Sequence, residues 1–75
     1  MTMLLTFRER LAVAMDADPR SRAAICRRAG YAQSHIRRLI SGERHSPTLP
    51  LVETMAEALE VSPAWLLGFS EESKP

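Results

Sequence analysis

The sequence predicts an all-α protein, a compact bundle of five short helices. Apolar residues recur three and four positions apart, as at Phe7, Leu11, Ala14 and Met15, which is the spacing of one helix face. No segment alternates apolar and polar residues as a half-buried strand does. A chain of 75 residues with one cysteine has no intramolecular disulfide, so its stability has to come from packed helices.

Capping residues define the first two predicted helices. Thr6 and Glu9 have the spacing of a capping box, which predicts the start of the first helix there. The helix should end within residues 16–19, because Pro19 disfavours helical backbone at the residue before it. Ser21 is a suitable N-cap for the second helix, and Gly30 suits the left-handed residue that ends it.

Three further helices follow from similar signals. The third is predicted over residues 33–41, with Gly42 ending it. Thr48 is the expected N-cap of the fourth, and Ser62 with Pro63 marks the start of the fifth. Gly68 is expected to end the fifth helix.

The predicted helices supply enough apolar side chains for one core. Residues 1–69 are expected to form a single domain, and residues 70–75 a loosely held polar tail or the start of a linker. The residues expected in the core are Leu11, Ile25, Ile36, Leu39, Val52, Met55, Leu59, Val61, Trp65 and Leu66.

Positive charge is concentrated in one third of a nearly neutral chain. The net charge is +1, yet residues 20–45 hold seven arginines against one glutamate, a net +6. This window includes the second and third predicted helices. Concentrated positive charge on a helix pair indicates a surface that binds a polyanion, whereas the simpler alternative is a solvated charged face.

The third predicted helix separates polar from apolar side chains. Ile36, Leu39 and Ile40 fall on one face and should point into the bundle. The residues expected on the opposite, outward face are Gln33, Ser34, Arg37 and Arg38.

Five features between about Arg22 and Gly68 form a recognisable pattern. They are Gly30, residues 33–39 (Gln-Ser-His-Ile-Arg-Arg-Leu), Gly42, the loop 43–47 (Glu-Arg-His-Ser-Pro) and residues 55–68 (Met-Ala-Glu-Ala-Leu-Glu-Val-Ser-Pro-Ala-Trp-Leu-Leu-Gly). With this pattern the chain resembles the Cro and phage-repressor (Xre-type) family of helix-turn-helix DNA-binding domains, and residues 55–68 are the most specific part of the resemblance. The resemblance implies a lambda-repressor-like five-helix fold in which helices 2 and 3 form the helix-turn-helix.

Two positions depart from the family pattern. Arg22 stands where the family often has a glutamine that contacts phosphate and braces the recognition helix. Ala32 stands where the family often has a serine or threonine N-cap. Because alanine has no hydrogen-bonding side chain, we expect the third helix to begin without a side-chain cap.

The motif implies a set of DNA contacts. The first residues of its second helix contact base edges, so Gln33, Ser34, Arg37 and Arg38 are the candidate base-contacting residues. The candidates for contacts to the DNA backbone are Arg20, Arg22, Arg44 and His45. Members of the family commonly dimerise through their last helix, and Leu67 and Phe69 are the candidate interface residues. A homodimer would recognise a nearly palindromic operator in double-stranded DNA.

Other kinds of site find little support in the sequence. We expect no metal, because His35 and His45 have no cluster of further ligands, and no cofactor or enzymatic activity. Cys26 is expected to be a small buried residue. The absence of a long apolar run argues against a membrane span.

The predicted function is that of a sequence-specific transcriptional regulator acting as a repressor. Such a protein would work in the cytoplasm of a prokaryote or of a cell infected by a phage. The main alternative to this function is an antitoxin or other partner-binding protein in which DNA binding is secondary.

Overall fold

A computed structural model of the chain describes residues 3–43 and 47–75, with five α-helices and no strand in these two ranges. In chain order the helices are α1 (Met3–Ala17), α2 (Arg22–Ala29), α3 (Gln33–Ser41), α4 (Leu49–Leu59) and α5 (Pro63–Leu66). The predicted all-α class is therefore confirmed. α1 packs against α3 and α5, and α2 packs against α3 and α4. The α2–α3 pair is therefore held by α1, which contacts α3, and by α4, which contacts α2.

The predicted start of the first helix was wrong. α1 begins at Met3, so Thr6 and Glu9 lie inside the helix and do not form a capping box at its start. Methionine and leucine are good helix formers, and residues 3–5 extend the helix by almost one turn beyond the local capping signal.

The three other predicted N-caps are observed. The hydroxyl oxygen of Ser21 accepts a hydrogen bond from the amide of Ala24, at 3.1 Å. The Thr48 hydroxyl accepts one from Leu51, and the Ser62 hydroxyl accepts one from Trp65. Such caps contribute about 1 kcal/mol each by satisfying amides that a helix leaves unpaired at its start.

One buried cluster joins all five helices. Eight of the ten residues predicted for the core lie in it, and Phe7, Met15, Cys26, Leu51, Ala56 and Ala58 complete it. The other two predictions need correction, because Val61 and Trp65 are only partly buried and pack against its edge. Val61 lies in the connection before α5, and Trp65 lies in α5 itself.

Hydrogen bonds and an ion pair connect Ser70, Glu71 and Ser73 to α1 and to the N-cap of α5. The guanidinium of Arg10, on α1, donates hydrogen bonds to the backbone oxygens of Trp65 and Ser70, at 2.6 and 2.8 Å. It also forms an ion pair with Glu71 at 3.2 Å. The Ser62 amide donates to the carbonyl oxygen of Ser73 at 2.8 Å. These bonds connect residues more than ten positions apart, which explains why local composition did not predict them.

Candidate nucleic-acid interface

A tight turn joins α2 to α3. Gly30 adopts the left-handed conformation at φ +84°, and its amide donates to the carbonyl oxygens of Cys26 and Arg27. The Tyr31 amide donates to the Cys26 carbonyl oxygen as well, at 3.0 Å. Ala32 then returns to extended backbone and precedes α3. Two of the carbonyls at the end of α2 thus accept hydrogen bonds within the turn, which fixes the direction in which α3 departs.

The two faces of α3 differ as the sequence predicted. Ile36 and Leu39 are 1% and 2% exposed and pack into the core. Ile40, predicted to point inward, is only partly buried. The exposed side chains are Gln33, Ser34, Arg37 and Arg38. Within the described part of the chain, none of these four side chains has a hydrogen bond or ion pair to another residue, so their donors are directed to solvent.

A surface cleft brings the start of α2 next to the start of α3. It has a volume of about 260 Å³. α1 and α2 contribute Met15, Arg22 and Cys26, and α3 contributes Gln33, Ser34, Ile36 and Arg37. Arg22, predicted from sequence as a backbone contact, therefore lies on the same surface as three of the four predicted base-contacting residues. Cys26 lines the cleft and is 2% exposed.

Burial raises the pKa of the Cys26 thiol, and the nearby Arg22 guanidinium opposes that rise. A raised pKa is typical of a packed and unreactive cysteine.

An acidic residue that the sequence did not single out lies beside Arg22. The guanidinium Nη2 of Arg22 donates to the Asp16 carboxylate at 2.7 Å. The two side chains are 44% and 69% exposed, so the ion pair is a solvated one of modest strength.

The structure gives Arg20 a different setting from the one expected. Its guanidinium donates to both carboxylate oxygens of Asp18, at 2.9 and 2.8 Å, and to the carbonyl oxygen of Ala58 on α4, at 2.7 Å. Hydrogen bonds from the Arg20 side chain and backbone lower the pKa of Asp18 from 3.8 to about 2. Arg20 thus connects the loop after α1 to the end of α4, and its contact with the DNA backbone stays a prediction.

The other predicted site residues are the two in the loop after α3 and the two proposed for a dimer interface. Arg44 and His45 lie outside the described residues. Leu67 is partly buried against the core, which leaves less of it available to a second copy than the sequence suggested. Phe69 is 69% exposed.

Arg8 is a further cation near α3 that the sequence did not indicate. A side-chain Cβ placed on Gly42, at the end of α3, would meet the Arg8 guanidinium at 2.5 Å. Arg8 therefore lies beside the end of α3, whereas Asp16, eight positions further along α1, lies beside the start of α2. Both positions depend on how α1 packs, which the spacing of residues in the sequence does not reveal.

Comparison with known proteins agrees with this geometry. A family model described as a helix-turn-helix domain matches residues 6–67. The chain belongs to this family. The match is consistent with the resemblance to Cro and phage-repressor domains and extends into α1. Neither a curated protein nor a solved structure matches the chain with significant similarity.

Membership of a helix-turn-helix family points to DNA binding and to a class of domains that are typically not enzymes. Within residues 3–43 and 47–75, no helix is both long enough and apolar enough to cross a membrane. The same two ranges contain no group of three or more His, Cys, Asp or Glu side chains that could hold a metal ion.

Proposed function

We propose that this helix-turn-helix protein is a sequence-specific regulator of transcription, acting as a repressor, that inserts α3 into the major groove of double-stranded DNA. The observation that supports this most strongly is the outward face of α3. Its four side chains are all hydrogen-bonding groups that have no partner among the residues that the structure describes, while the opposite face packs into the core. A rigid helix with free donors is what reading base edges requires.

The four residues have different proposed roles. Gln33 presents a side-chain amide that can pair bidentately with adenine, and Arg37 presents a guanidinium that can pair with guanine O6 and N7. Each such pair discriminates against a wrong base by about 1–3 kcal/mol. Ser34 contacts a base or a phosphate, and Arg38 does the same from one turn further along the helix.

Contacts to the DNA backbone are proposed for Arg20, Arg22, Arg44 and His45. Arg22 is the first residue of α2, where free amides and the helix dipole already favour a phosphate. Phosphate contacts set the orientation and the affinity of the complex without carrying sequence information. Arg22 therefore orients α3 on the duplex while the residues of α3 read it.

We further propose that the protein binds as a homodimer to a nearly palindromic operator. Phe69 is the best-supported interface residue, because a large apolar side chain that is 69% exposed gains from being covered by a second copy. A two-fold dimer would present its recognition helices to half-sites about 34 Å apart. Such a protein would work in the cytoplasm, associated with the nucleoid.

Selection of binding sites from random duplex DNA tests the proposal. We expect one enriched and nearly palindromic sequence. Affinity for that sequence should fall steeply with salt, and its advantage over a scrambled duplex should persist. Salt-sensitive binding with no enriched sequence would contradict the regulator and favour the antitoxin or partner-binding alternative. A promoter reporter carrying the selected sequence then tests repression, which predicts lower expression when the protein is present.

A further inference from the structure

The first turn of α3 has no side-chain cap. Ala32 occupies the N-cap position, and the amides of His35 and Ile36 are bonded only to its carbonyl oxygen, at 3.1 and 3.2 Å. The amides of Gln33 and Ser34 have no partner in the part of the chain that the structure describes. A helix start without a cap is about 1 kcal/mol less stable than a capped one and frays more readily. This is the turn that carries the first two proposed base-contacting residues.

An aromatic pair bridges the same turn. The rings of Tyr31 and His35 are stacked, with their centroids 5.7 Å apart and their planes inclined by 22°. Tyr31 immediately precedes the N-cap, and His35 is the third residue of α3. The contact is one position short of a hydrophobic staple, in which the residue before the N-cap packs against the fourth residue of the helix. Like a staple, it restricts the angle at which the chain enters the helix.

Tyr31 is also attached to the preceding helix. Its amide donates to the Cys26 carbonyl oxygen on α2, and its side chain packs against the core. One residue therefore has its backbone fixed to the end of α2 and its ring fixed to the start of α3. The ring pair thus connects the two helices of the motif at the point where a side-chain cap is missing.

We propose that the Tyr31–His35 stack replaces the missing cap and holds the first turn of α3 in place. The two residues are positioning residues, because they act on DNA through the placement of Gln33 and Ser34. The consequence for base reading rests on the proposed function. The structural claim does not, and it can be tested on the protein alone.

Amide hydrogen exchange tests the structural claim. Tyr31→Ala should reduce the protection of the His35 and Ile36 amides on the order of fivefold more than that of the α4 amides, the size expected for losing a cap. Tyr31→Phe keeps a ring at this position and is the matched control, with protection close to the original. Adding Ala32→Ser to Tyr31→Ala should restore the lost protection, since a serine hydroxyl can accept from the His35 amide.

Two results would overturn the proposal. One is an equal loss of protection across α3 and α4, which would mean that Tyr31 contributes only to general stability. The other is unchanged protection in the first turn. If Tyr31→Ala does not fold, His35→Ala provides the same test, because this ring lies at the helix surface and is only partly buried.

Binding to the selected duplex provides the second arm of the experiment. Tyr31→Ala should lower the preference for the selected over the scrambled sequence, and Ala32→Ser should restore it. A preference that stays unchanged while first-turn protection falls would overturn the link to base reading. If the unmodified protein itself shows no preferred sequence, the proposed function fails, and the exchange results still decide the role of the stack.

Discussion

Arg22 donates a 2.7 Å hydrogen bond to Asp16, across the gap between the start of α2 and the end of α1. The pair places a carboxylate directly beside the cation that we propose meets a DNA phosphate. The two negative groups would compete for one guanidinium, and they would also repel each other. Asp16 is therefore expected to limit the affinity for DNA of any sequence.

Asp16→Asn should raise the affinity for selected and scrambled duplexes alike. The expected gain is at most about fivefold, because a solvated ion pair contributes only about 0.2–1 kcal/mol. Fluorescence anisotropy at two salt concentrations measures it. Glu53→Gln removes the same charge from the exposed face of α4 and is the matched control. Weaker binding of the Asp16 variant would show instead that the carboxylate orients Arg22 productively.

Arg37→Ala and Arg22→Ala should weaken DNA binding in different ways. Loss of Arg37 should cost about 1–3 kcal/mol on the selected sequence and relax the preference at one base pair. Loss of Arg22 should weaken all sequences about equally and reduce the dependence of affinity on salt. Arg28→Ala serves as the control, since Arg28 is exposed on α2 but does not line the cleft. Indistinguishable effects of the first two substitutions would refute the assigned recognition surface.

Stability should depend on the ionisation of Asp18 at low pH. Arg20 lowers the pKa of Asp18 in the folded protein from 3.8 to about 2, so the folded state favours the ionised carboxylate. This contribution to the free energy of unfolding is fully present above pH 3.8 and is lost as the pH falls through about 2. Urea unfolding between pH 5 and pH 2 should show a smaller decline for Asp18→Asn than for the unmodified protein, with Asp16→Asn as the control for removing one carboxyl. Parallel declines for the Asp18 variant and the unmodified protein would contradict the pairing with Arg20.

Glu60→Gly should stabilise the protein. Glu60 ends α4 at φ +59°, the one non-glycine residue with positive φ among those described. Glycine reaches this conformation without the steric cost of a Cβ atom, so we expect a gain of about 0.5–1 kcal/mol. The lost Arg20–Glu60 contact, at 4.0 Å to an exposed carboxylate, offsets little of it. Thermal and urea unfolding measure the change. Glu57→Gly, inside the same helix, should destabilise by about 1 kcal/mol, and a similar loss at position 60 would show that the backbone strain is negligible.

Capping residues predicted where a helix begins, except where good helix formers precede the capping residue. Ser21, Thr48 and Ser62 cap helices as expected, and Ala32 leaves α3 uncapped as expected. At Thr6 the capping signal failed, because the residues before it are themselves good helix formers.

Capping signals and helical spacing could not predict hydrogen bonds between distant parts of the chain. The Arg20–Ala58 bond joins residues 38 positions apart, and the Arg10–Trp65 bond joins residues 55 apart. No role was predicted from the sequence for Arg10, whereas Arg20 was predicted to contact the DNA backbone. For the candidate interface, helical periodicity predicted the exposed face of α3, because that face depends only on spacing within one helix. The position of Asp16 beside Arg22 depends on how α1 packs, which spacing does not reveal.

α5 has four residues, far fewer than an isolated helix needs to persist in water. The Arg10 guanidinium lies over the Trp65 ring, 5.1 Å from its centre, and bonds to the backbone on both sides of the following turn. Trp65 is the single tryptophan of the chain. Tryptophan fluorescence of this protein therefore observes the end of the bundle where α1, α5 and residues 70–71 meet, and not the surface assigned to DNA. A change in this emission on adding an operator duplex would therefore report a conformational change transmitted from α3 through α1, or dimerisation at Phe69.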